Sequence, residues 1–174
     1  EALFASSNSC VDIYKKHVWF FTGGAFARLF FSKDSGNHFV INKILSTTGE
    51  KMIGIFSIDF FNVNFGAIAG GNYEKTDSTY LNIAFTNNVG KTFIRIKNKK
   101  PFFGSCVQFR SEKEFFVTGH DGTFIFNYET EKISELKDKS GSPLKFHTLR
   151  FSPSGKAVWF AGDKGRIAFI TFAP

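Results

Sequence analysis

The segment Val18-Trp19-Phe20-Phe21-Thr22-Gly23-Gly24 reads as an apolar strand that ends in glycine, and three other segments of the chain repeat this pattern. The three other copies are Gly66–Gly71, Phe115–Gly119 and Val158–Gly162. The last glycines of successive copies are separated by 43 to 48 residues. A period in this range is typical of architectures that repeat one small sheet.

Further strands flank each of these anchor segments in the same order. An element that alternates apolar, polar and apolar residues, as strands do, ends 10 or 11 residues before the last glycine of every copy. These first strands are predicted at Val11–Ile13, Ile58–Phe60, Val107–Phe109 and Leu149–Phe151. Third strands are predicted at Arg28–Ser32, Leu81–Thr86, Thr123–Tyr128 and Arg166–Phe172. Fourth strands are predicted only in the first three copies, at His38–Ile41, Thr92–Ile96 and Ile133–Leu136.

We therefore predict four repeats within a single domain, at approximately residues 1–43, 44–97, 98–137 and 138–174. No segment combines a sustained helical period with helix caps, so helix should be scarce. Four-stranded antiparallel sheets that are repeated radially form a β-propeller. The predicted fold is all-β, with about four propeller blades. A β-sandwich is the weaker alternative, because it does not require self-similarity at this period.

Two of the predicted hairpins carry a sharper motif of the form Ser/Thr-x-Asp/Asn-x-Gly-x-x-aromatic. The two motifs consist of Ser32, Asp34, Gly36 and Phe39, and of Thr86, Asn88, Gly90 and Phe93. The Asp or Asn side chain can accept hydrogen bonds from backbone amides of its own turn. The glycine suits the left-handed backbone conformation. The aromatic residue is expected to fold back into the core of the sheet.

This motif resembles the Asp-box, or BNR repeat, of sialidase-type β-propellers. The segments Trp19–Phe39, Gly54–Tyr73 and Ser152–Ile170 are similar in particular to the photosystem II stability/assembly factor-like BNR proteins. The resemblance covers nearly the whole chain, and it implies the C-terminal part of a closed propeller of about seven blades. It also implies a binding role, in which a propeller holds a membrane-protein assembly intermediate, and export to the periplasm or the extracellular space.

Closure of the ring is the main physical question that this resemblance raises. Four blades of a seven-bladed design leave two uncovered edges, which invite pairing with other chains. The outcomes considered are a compact four-bladed ring, two chains that associate into a larger ring, and a fragment of a longer propeller. The fragment is favoured, and dimerisation is the second hypothesis. Glu1–Ser7 could supply the missing outer strand of the last repeat, or equally the first strand of repeat one.

The composition describes a globular chain and excludes several classes of protein. Of the 174 residues, 43% are hydrophobic and 25 are Phe, so general disorder is excluded. No apolar run reaches the roughly 18 residues of a membrane span, so no membrane insertion is predicted. The net charge of +7 is moderate. The basic cluster of Arg95, Lys97, Lys99 and Lys100 is interpreted as a solvated loop, and no nucleic-acid partner is predicted.

Two sets of residues are candidates for ligand binding. Asp12, Asp59, Gln108 and Arg150 hold equivalent positions in the first strands, which border the channel of a propeller. Arg28 and Arg166 each lie four residues after the last glycine of their repeats, where a guanidinium could bind a carboxylate or phosphate. The structural alternatives are a hydrated channel lining for the first set and salt bridges at hairpin edges for the second.

No catalytic residue, metal site or cofactor is predicted. Cys10 and Cys106 lie in equivalent positions of the first and third repeats, at the start of a crowded inner strand where small residues fit. Their separation into different blades disfavours a disulfide, so we expect free and mostly buried thiols. The four histidines show no ligand spacing with these cysteines, and the pattern therefore predicts no zinc site.

The sequence thus predicts a non-enzymatic platform for binding or assembly, with a protein as its partner. Loops on a rigid scaffold tend to carry recognition, so the insertion Asn72–Tyr80 and the loop Lys97–Lys100 are the predicted contact surfaces. The alternative is a glycan-binding or sialidase-like glycoside hydrolase propeller. It predicts a cluster of Arg, Asp and Tyr on one face of the channel mouth, and three arginines within reach of one carboxylate would favour it. Self-association is a further expectation, as one way to close the ring.

Overall fold

A computed structural model describes residues 3, 7, 9–23, 27–45, 53–77, 83–97 and 100–172, with the backbone alone at 43–45 and 53. Its strands form four antiparallel sheets. The first contains β1 (Val11–Tyr14), β2 (His17–Thr22), β3 (Ala27–Ser32) and β4 (Val40–Leu45). The second contains β5 (Ile53–Phe60), β6 (Gly66–Asn72), β7 (Ile83–Thr86) and β8 (Ile94–Arg95). The third contains β9 (Cys106–Ser111), β10 (Glu114–Gly119), β11 (Gly122–Asn127) and β12 (Lys132–Glu135). The fourth contains β13 (Thr148–Phe151), β14 (Ala157–Ala161) and β15 (Ile167–Thr171).

Each strand pairs only with strands next to it in sequence, so every sheet is an up-and-down meander that begins with its innermost strand. The innermost strands β1, β5, β9 and β13 contact one another in chain order, which arranges the sheets around a common centre. This arrangement confirms the predicted all-β fold of propeller blades, and the four blades do not close into a ring. We number the sheets as blades 1 to 4. The only helical segment among the described residues is a 3₁₀ turn at Asp163–Gly165.

The hydrophobic core lies between successive blades rather than within one of them. Between blades 1 and 2, side chains such as Trp19 and Leu29 pack against Phe60 and Ile68. Further clusters fill the next two interfaces: Phe85 with Phe115 and Phe126 between blades 2 and 3, and Phe116 with Leu149 and Phe160 between blades 3 and 4. The abundance of phenylalanine therefore supplies the three interfaces that join the blades.

The two predicted Asp-box turns have the hydrogen bonds that their sequences suggest. Asp34 Oδ1 accepts from the backbone N–H of His38 at 3.0 Å, and Ser32 Oγ accepts from the N–H of Gly36 at 2.9 Å. In the second turn the same bonds join Asn88 to Thr92 at 3.0 Å and Thr86 to Gly90 at 3.1 Å. Gly36 and Gly90 have φ values of 89° and 82°, which is the left-handed region that favours glycine.

The aromatic residues of the two turns differ in their surroundings. Phe93 packs against the core between blades 1 and 2, with its ring 5.9 Å from that of Phe21. Phe39 is 40% exposed and contacts Phe20 on its own blade, at a ring separation of 5.2 Å. The expected folding of the aromatic ring into the core thus occurs in the second turn only, because no preceding blade stands beside Phe39 in the described structure.

The glycines that end the anchor strands allow close approach of the backbone. A Cβ atom on Gly119 would lie 1.8 Å from the carbonyl oxygen of Phe103, and one on Gly70 would lie 2.0 Å from that of Gly54. Neither contact could be accommodated without moving the backbone. Of the other predicted features, most of residues 1–7, the end of the insertion at 78–80 and Lys99 lie outside the described residues.

Candidate functional site

Polar side chains at the centre of the innermost strands link each blade to the next. In each of the three interfaces, a side-chain oxygen accepts a hydrogen bond from a backbone N–H of the following innermost strand. The pairs are Asp12 with Phe60 (2.5 Å), Asp59 with Phe109 (2.7 Å) and Gln108 with Phe151 (2.7 Å). Each bond satisfies a partly buried backbone amide on the side of its strand that has no neighbouring strand, and we call the three side chains the interblade latches.

Asp59 has the most perturbed pKa among the latches. Burial raises the pKa of Asp59 to about 7, and the nearby carboxyl group of Asp12 acts in the same direction. The hydrogen bond from Phe109 and the guanidinium of Arg150 oppose this rise. Burial also raises the pKa of Asp12. The channel therefore contains two carboxyl groups whose ionisation is less favourable in the folded chain than in water.

The channel between the innermost strands is narrow. Asp12, Asp59, Gln108 and Arg150 line a cavity of about 40 Å³ there. A cavity of this size holds on the order of one water molecule. The structure thus brings together three predicted ligand-binding residues, Asp12, Asp59 and Arg150, and two of these already bond to backbone amides.

The other two predicted ligand-binding arginines lie elsewhere. The guanidinium of Arg28 lies 5.8 Å from the ring centre of Phe30 on blade 1, and that of Arg166 lies 5.1 Å from the ring centre of Phe146 beside blade 4. Among the described residues, Arg150 alone of the arginines lines the channel cavity. The convergence of three arginines that a sialidase-like site requires is not formed by this part of the chain.

A larger cavity of about 560 Å³ opens at the end of the channel where the innermost strands begin. Ser9, Ser105 and Thr148, which lie at or just before the starts of these strands, contribute hydroxyl groups to its lining. Loops that follow the second strands of blades 2 to 4 form its wall. The predicted contact loop Asn72–Tyr80 participates through Tyr73, whereas the described residues of the loop Lys97–Lys100 do not.

A continuous row of rings lines this cavity. The ring centres of Phe56 and Phe103 are 4.8 Å apart, and Tyr73 lies 5.8 Å from Phe103. His120 is 6.1 Å from Phe103 and 4.5 Å from His147, which extends the row to blade 4. Phe56 and Phe103 are buried, but Tyr73 is 50% exposed. Tyr73 therefore presents a large apolar face to any molecule that enters.

The far wall of the cavity carries a cluster of three groups that can ligate metals, and the sequence did not indicate it. His120, His147 and Asp163 place one ligand atom each within 4.8 Å of one another. His147 Nε2 and Asp163 Oδ1 are 2.6 Å apart, and this hydrogen bond with His147 lowers the pKa of Asp163. The pairing of β13 with β14 brings His147 and Asp163 together on blade 4, and His120 joins them because blades 3 and 4 pack side by side.

The predicted thiols lie close to the same region. Cys10 and Cys106 are both free, with Cys106 buried and Cys10 half-buried. Cys106 Sγ accepts a long hydrogen bond, 3.7 Å, from the hydroxyl of Thr148. The expected lack of a disulfide between these residues agrees with their places in blades 1 and 3.

Comparison with known proteins identifies the fold. No family model and no curated protein matches the sequence. Among solved structures, the chain is similar to YCF48 bound to D1 peptide, at 16% identity and a TM-score of 0.63, over 98% of this chain and 52% of that one. It is also similar to an auxiliary nutrient binding protein from Bacteroides thetaiotaomicron, at 14% identity and a TM-score of 0.64, over 96% of this chain and 39% of that one.

A third similar structure is the GH74 enzyme of Niastella koreensis, at 12% identity and a TM-score of 0.61, over 90% of this chain and 27% of that one. All three are β-propellers, and the first is an assembly factor of photosystem II, which agrees with the resemblance that the sequence motifs indicated. At these identities the likeness shows the fold alone. The chain spans about half the length of the first of these structures and less of the other two.

No helix in the described part of the chain is long and apolar enough to cross a membrane.

Proposed function

We propose that the protein is a non-enzymatic binding platform and that the cavity at the channel end captures an extended segment of a partner protein. The observation that carries this proposal is Tyr73, which is half-exposed in a row of aromatic rings along a cavity of about 560 Å³. Tyrosine is enriched at binding hot spots because its ring buries a large apolar area while its hydroxyl group still bonds to a partner.

The surroundings of Tyr73 suit this role. Phe56 and Phe103 are buried beneath it and hold the row of rings in place, so little side-chain conformational freedom is lost on binding. The hydroxyl groups of Ser9, Ser105 and Thr148 donate hydrogen bonds within the protein, and their oxygen atoms can still accept one from the backbone N–H groups of a peptide. The peptide that accompanies YCF48 in a structure of the same fold supports the choice of a protein as the partner.

A displayed library of random linear peptides provides the test. We expect selection on the purified protein to enrich peptides whose synthetic copies bind in calorimetry. The Tyr73→Ala variant should weaken that binding by at least about tenfold, as hot-spot residues do. Ile94→Ala is the matched control, because Ile94 lies on the same blade, is also 50% exposed and stands outside the cavity.

Two results would contradict the proposal. One is a selection that yields no peptide whose synthetic copy binds. The other is a set of binding peptides that lose equal affinity through Tyr73→Ala and Ile94→Ala, since binding would then take place away from the cavity.

Glycan binding is the second candidate, and the exposed ring of Tyr73 favours it too, because an aromatic face can stack on a sugar ring. Hydrolysis is disfavoured, since glycoside hydrolases generally use a pair of carboxylates. Asp163 is the only carboxylate among the described residues of the cavity lining. Binding to an array of defined oligosaccharides that Tyr73→Ala abolishes, without any peptide binding, would establish this alternative.

We further propose that the protein is exported, as the sequence resemblance implies. The nutrient-binding protein and the glycoside hydrolase of similar fold are of kinds that are often exported, which supports this location. Fractionation of cells that express the full-length gene product would test it, and recovery of the protein in the cytoplasmic fraction alone would contradict it.

A further inference from the structure

The cluster of His120, His147 and Asp163 combines two imidazoles with one carboxylate. His120 occupies the two-residue turn between β10 and β11, His147 directly precedes β13, and Asp163 begins the 3₁₀ turn after β14. The backbone N–H of His147 bonds to the carbonyl of Ala161 at 2.9 Å, and that of Arg166 bonds to the carbonyl of Asp163 at 3.0 Å. Each ligand is thus held by a short connection at the rigid end of a blade.

We propose that His120, His147 and Asp163 form a binding site for a divalent transition metal ion, with Zn²⁺ as the ion that best suits the donor set. Two imidazole nitrogens and one carboxylate oxygen are ligands that Zn²⁺, Co²⁺ and Ni²⁺ accept, whereas Mg²⁺ and Ca²⁺ prefer oxygen ligands alone. This proposal stands apart from the peptide-binding function and does not depend on it.

The three ligand atoms would have to move only a short way to coordinate one metal ion. Ligand bonds of about 2.0–2.1 Å in a tetrahedral site place neighbouring ligand atoms roughly 3.3 Å apart. The His147–Asp163 pair must open from 2.6 Å, and the remaining ligand atoms must close from within 4.8 Å. Because Asp163 is exposed and lies on a short turn, its carboxylate can make this adjustment without disturbing the blade core.

Three protein ligands leave at least one coordination position for another molecule. In this structure the cluster lies on the wall of the large cavity, so that position opens towards the space beside Tyr73. A bound ion would place a positive charge there and would accept a carboxylate, a hydroxyl group or water as a further ligand.

The chain contains an internal control for this site. His38 Nδ1 and Asp34 Oδ2 are also 2.6 Å apart, on the exposed first Asp-box turn. Among the described residues, no third histidine, cysteine or acidic side chain joins this pair closely enough to ligate the same ion. Two ligands bind a metal far more weakly than three, so the pair isolates the contribution of the third ligand.

Calorimetric titration of the purified chain with ZnCl₂ is the primary experiment, and the absorption spectrum of the Co²⁺ form is the second measurement. We expect one equivalent to bind. His120→Ala, His147→Ala and Asp163→Ala should each weaken binding by more than about tenfold, while His38→Ala should leave it unchanged. A Cys10→Ser/Cys106→Ser variant should retain binding and show that no thiolate is required.

Melting temperatures measured with and without Zn²⁺ test the site even if a variant is less stable than the wild-type chain. Excess Zn²⁺ should raise the melting temperature of the wild-type chain and of His38→Ala, because a ligand that binds the folded state stabilises it. It should not raise that of His147→Ala, provided that this variant still unfolds cooperatively. The proposal is overturned if the wild-type chain binds no Zn²⁺, or if binding survives in a triple variant that lacks all three ligands.

Discussion

Two tryptophans in equivalent positions have opposite environments. The anchor segments of blades 1 and 4 both contain Val-Trp-Phe, and Trp19 and Trp159 pair with the equivalent residues Asp12 and Arg150 of the innermost strands. Trp19 is fully buried, stacks on Phe60 of blade 2 at 4.0 Å, and donates a hydrogen bond from Nε1 to the carbonyl of Val89. Trp159 is 53% exposed and contacts Phe169 of its own sheet.

For the phenylalanines that follow these tryptophans, the one on blade 4 is buried and the one on blade 1 is more exposed. Phe160 is buried against blade 3, whereas Phe20, its equivalent on blade 1, is only half-buried and stacks on Phe30. Every blade thus has one face for the preceding blade and one for the following blade, and both are apolar. The outer faces of blades 1 and 4 thus have the apolar character of interfaces, although no other described part of the chain covers them.

The largest effect that this comparison predicts is on stability. Trp19→Ala should lower the free energy of unfolding by about 3–5 kcal/mol, because it opens a cavity between blades 1 and 2. Trp159→Ala should lower it by less than about 1 kcal/mol, as exposed substitutions do. Urea unfolding followed by circular dichroism measures both. Equal losses of unfolding free energy would show that Trp159 on blade 4 is covered in solution, as Trp19 is between blades 1 and 2.

The blades themselves were predictable from the sequence, whereas the sites between them were not. Strand alternation and the recurring glycine are local patterns, so Val18–Gly24 and its copies located the sheets. The hydrogen bond from Phe109 to Asp59 depends on how two blades pack, and no local pattern records it. His120 and Asp163 are separated by more than 40 residues and meet only after blades 3 and 4 associate.

The second prediction concerns Asp59, the interblade latch whose carboxyl group accepts a hydrogen bond from Phe109 between blades 2 and 3. Its pKa is raised from 3.8 to about 7, so the folded chain holds a proton that the unfolded chain has lost in this window. The free energy of unfolding should therefore decrease as the pH rises from about 4 to about 7, by a total of up to about 4 kcal/mol.

The Asp59→Asn variant should flatten this pH dependence, since the amide oxygen still accepts from Phe109 and carries no charge. Asp138→Asn is the control: this carboxyl lies on an exposed turn, its pKa is lowered, and it stays ionised throughout the window. Thermal melts between pH 5 and pH 8 measure the slope. A wild-type melting temperature that rises with pH across this range would be incompatible with the burial of Asp59.

The phenylalanines that end the two predicted Asp-box turns, Phe39 and Phe93, provide a second pair of equivalent residues in different surroundings. Phe93→Ala should cost about 2 kcal/mol of unfolding free energy, because Phe93 packs on the core between blades 1 and 2. Phe39→Ala should cost less than about 1 kcal/mol, because the face beside it is open. The same urea experiment measures both. If Phe39→Ala lowered the free energy of unfolding as much as Phe93→Ala, the preceding face of blade 1 would have to be covered in solution.

The smallest expected effect on the isolated chain concerns association. The following face of blade 4 carries Trp159 and Phe169, and the preceding face of blade 1 carries a cross-strand row that ends in Val11 and Ile41. In the three internal interfaces a following face always packs on a preceding face. We therefore propose that two copies associate head to tail, with blade 4 of each on blade 1 of the other.

Light scattering at several concentrations tests this ring. The mean mass should rise from that of one chain towards that of two as concentration increases, and Trp159→Lys should suppress the rise by introducing a charge into the contact. Ile94→Lys is the matched control, because Ile94 is equally exposed but lies on the outer strand β8 of an internal blade. A mass of one chain at every concentration would rule out the two-chain ring.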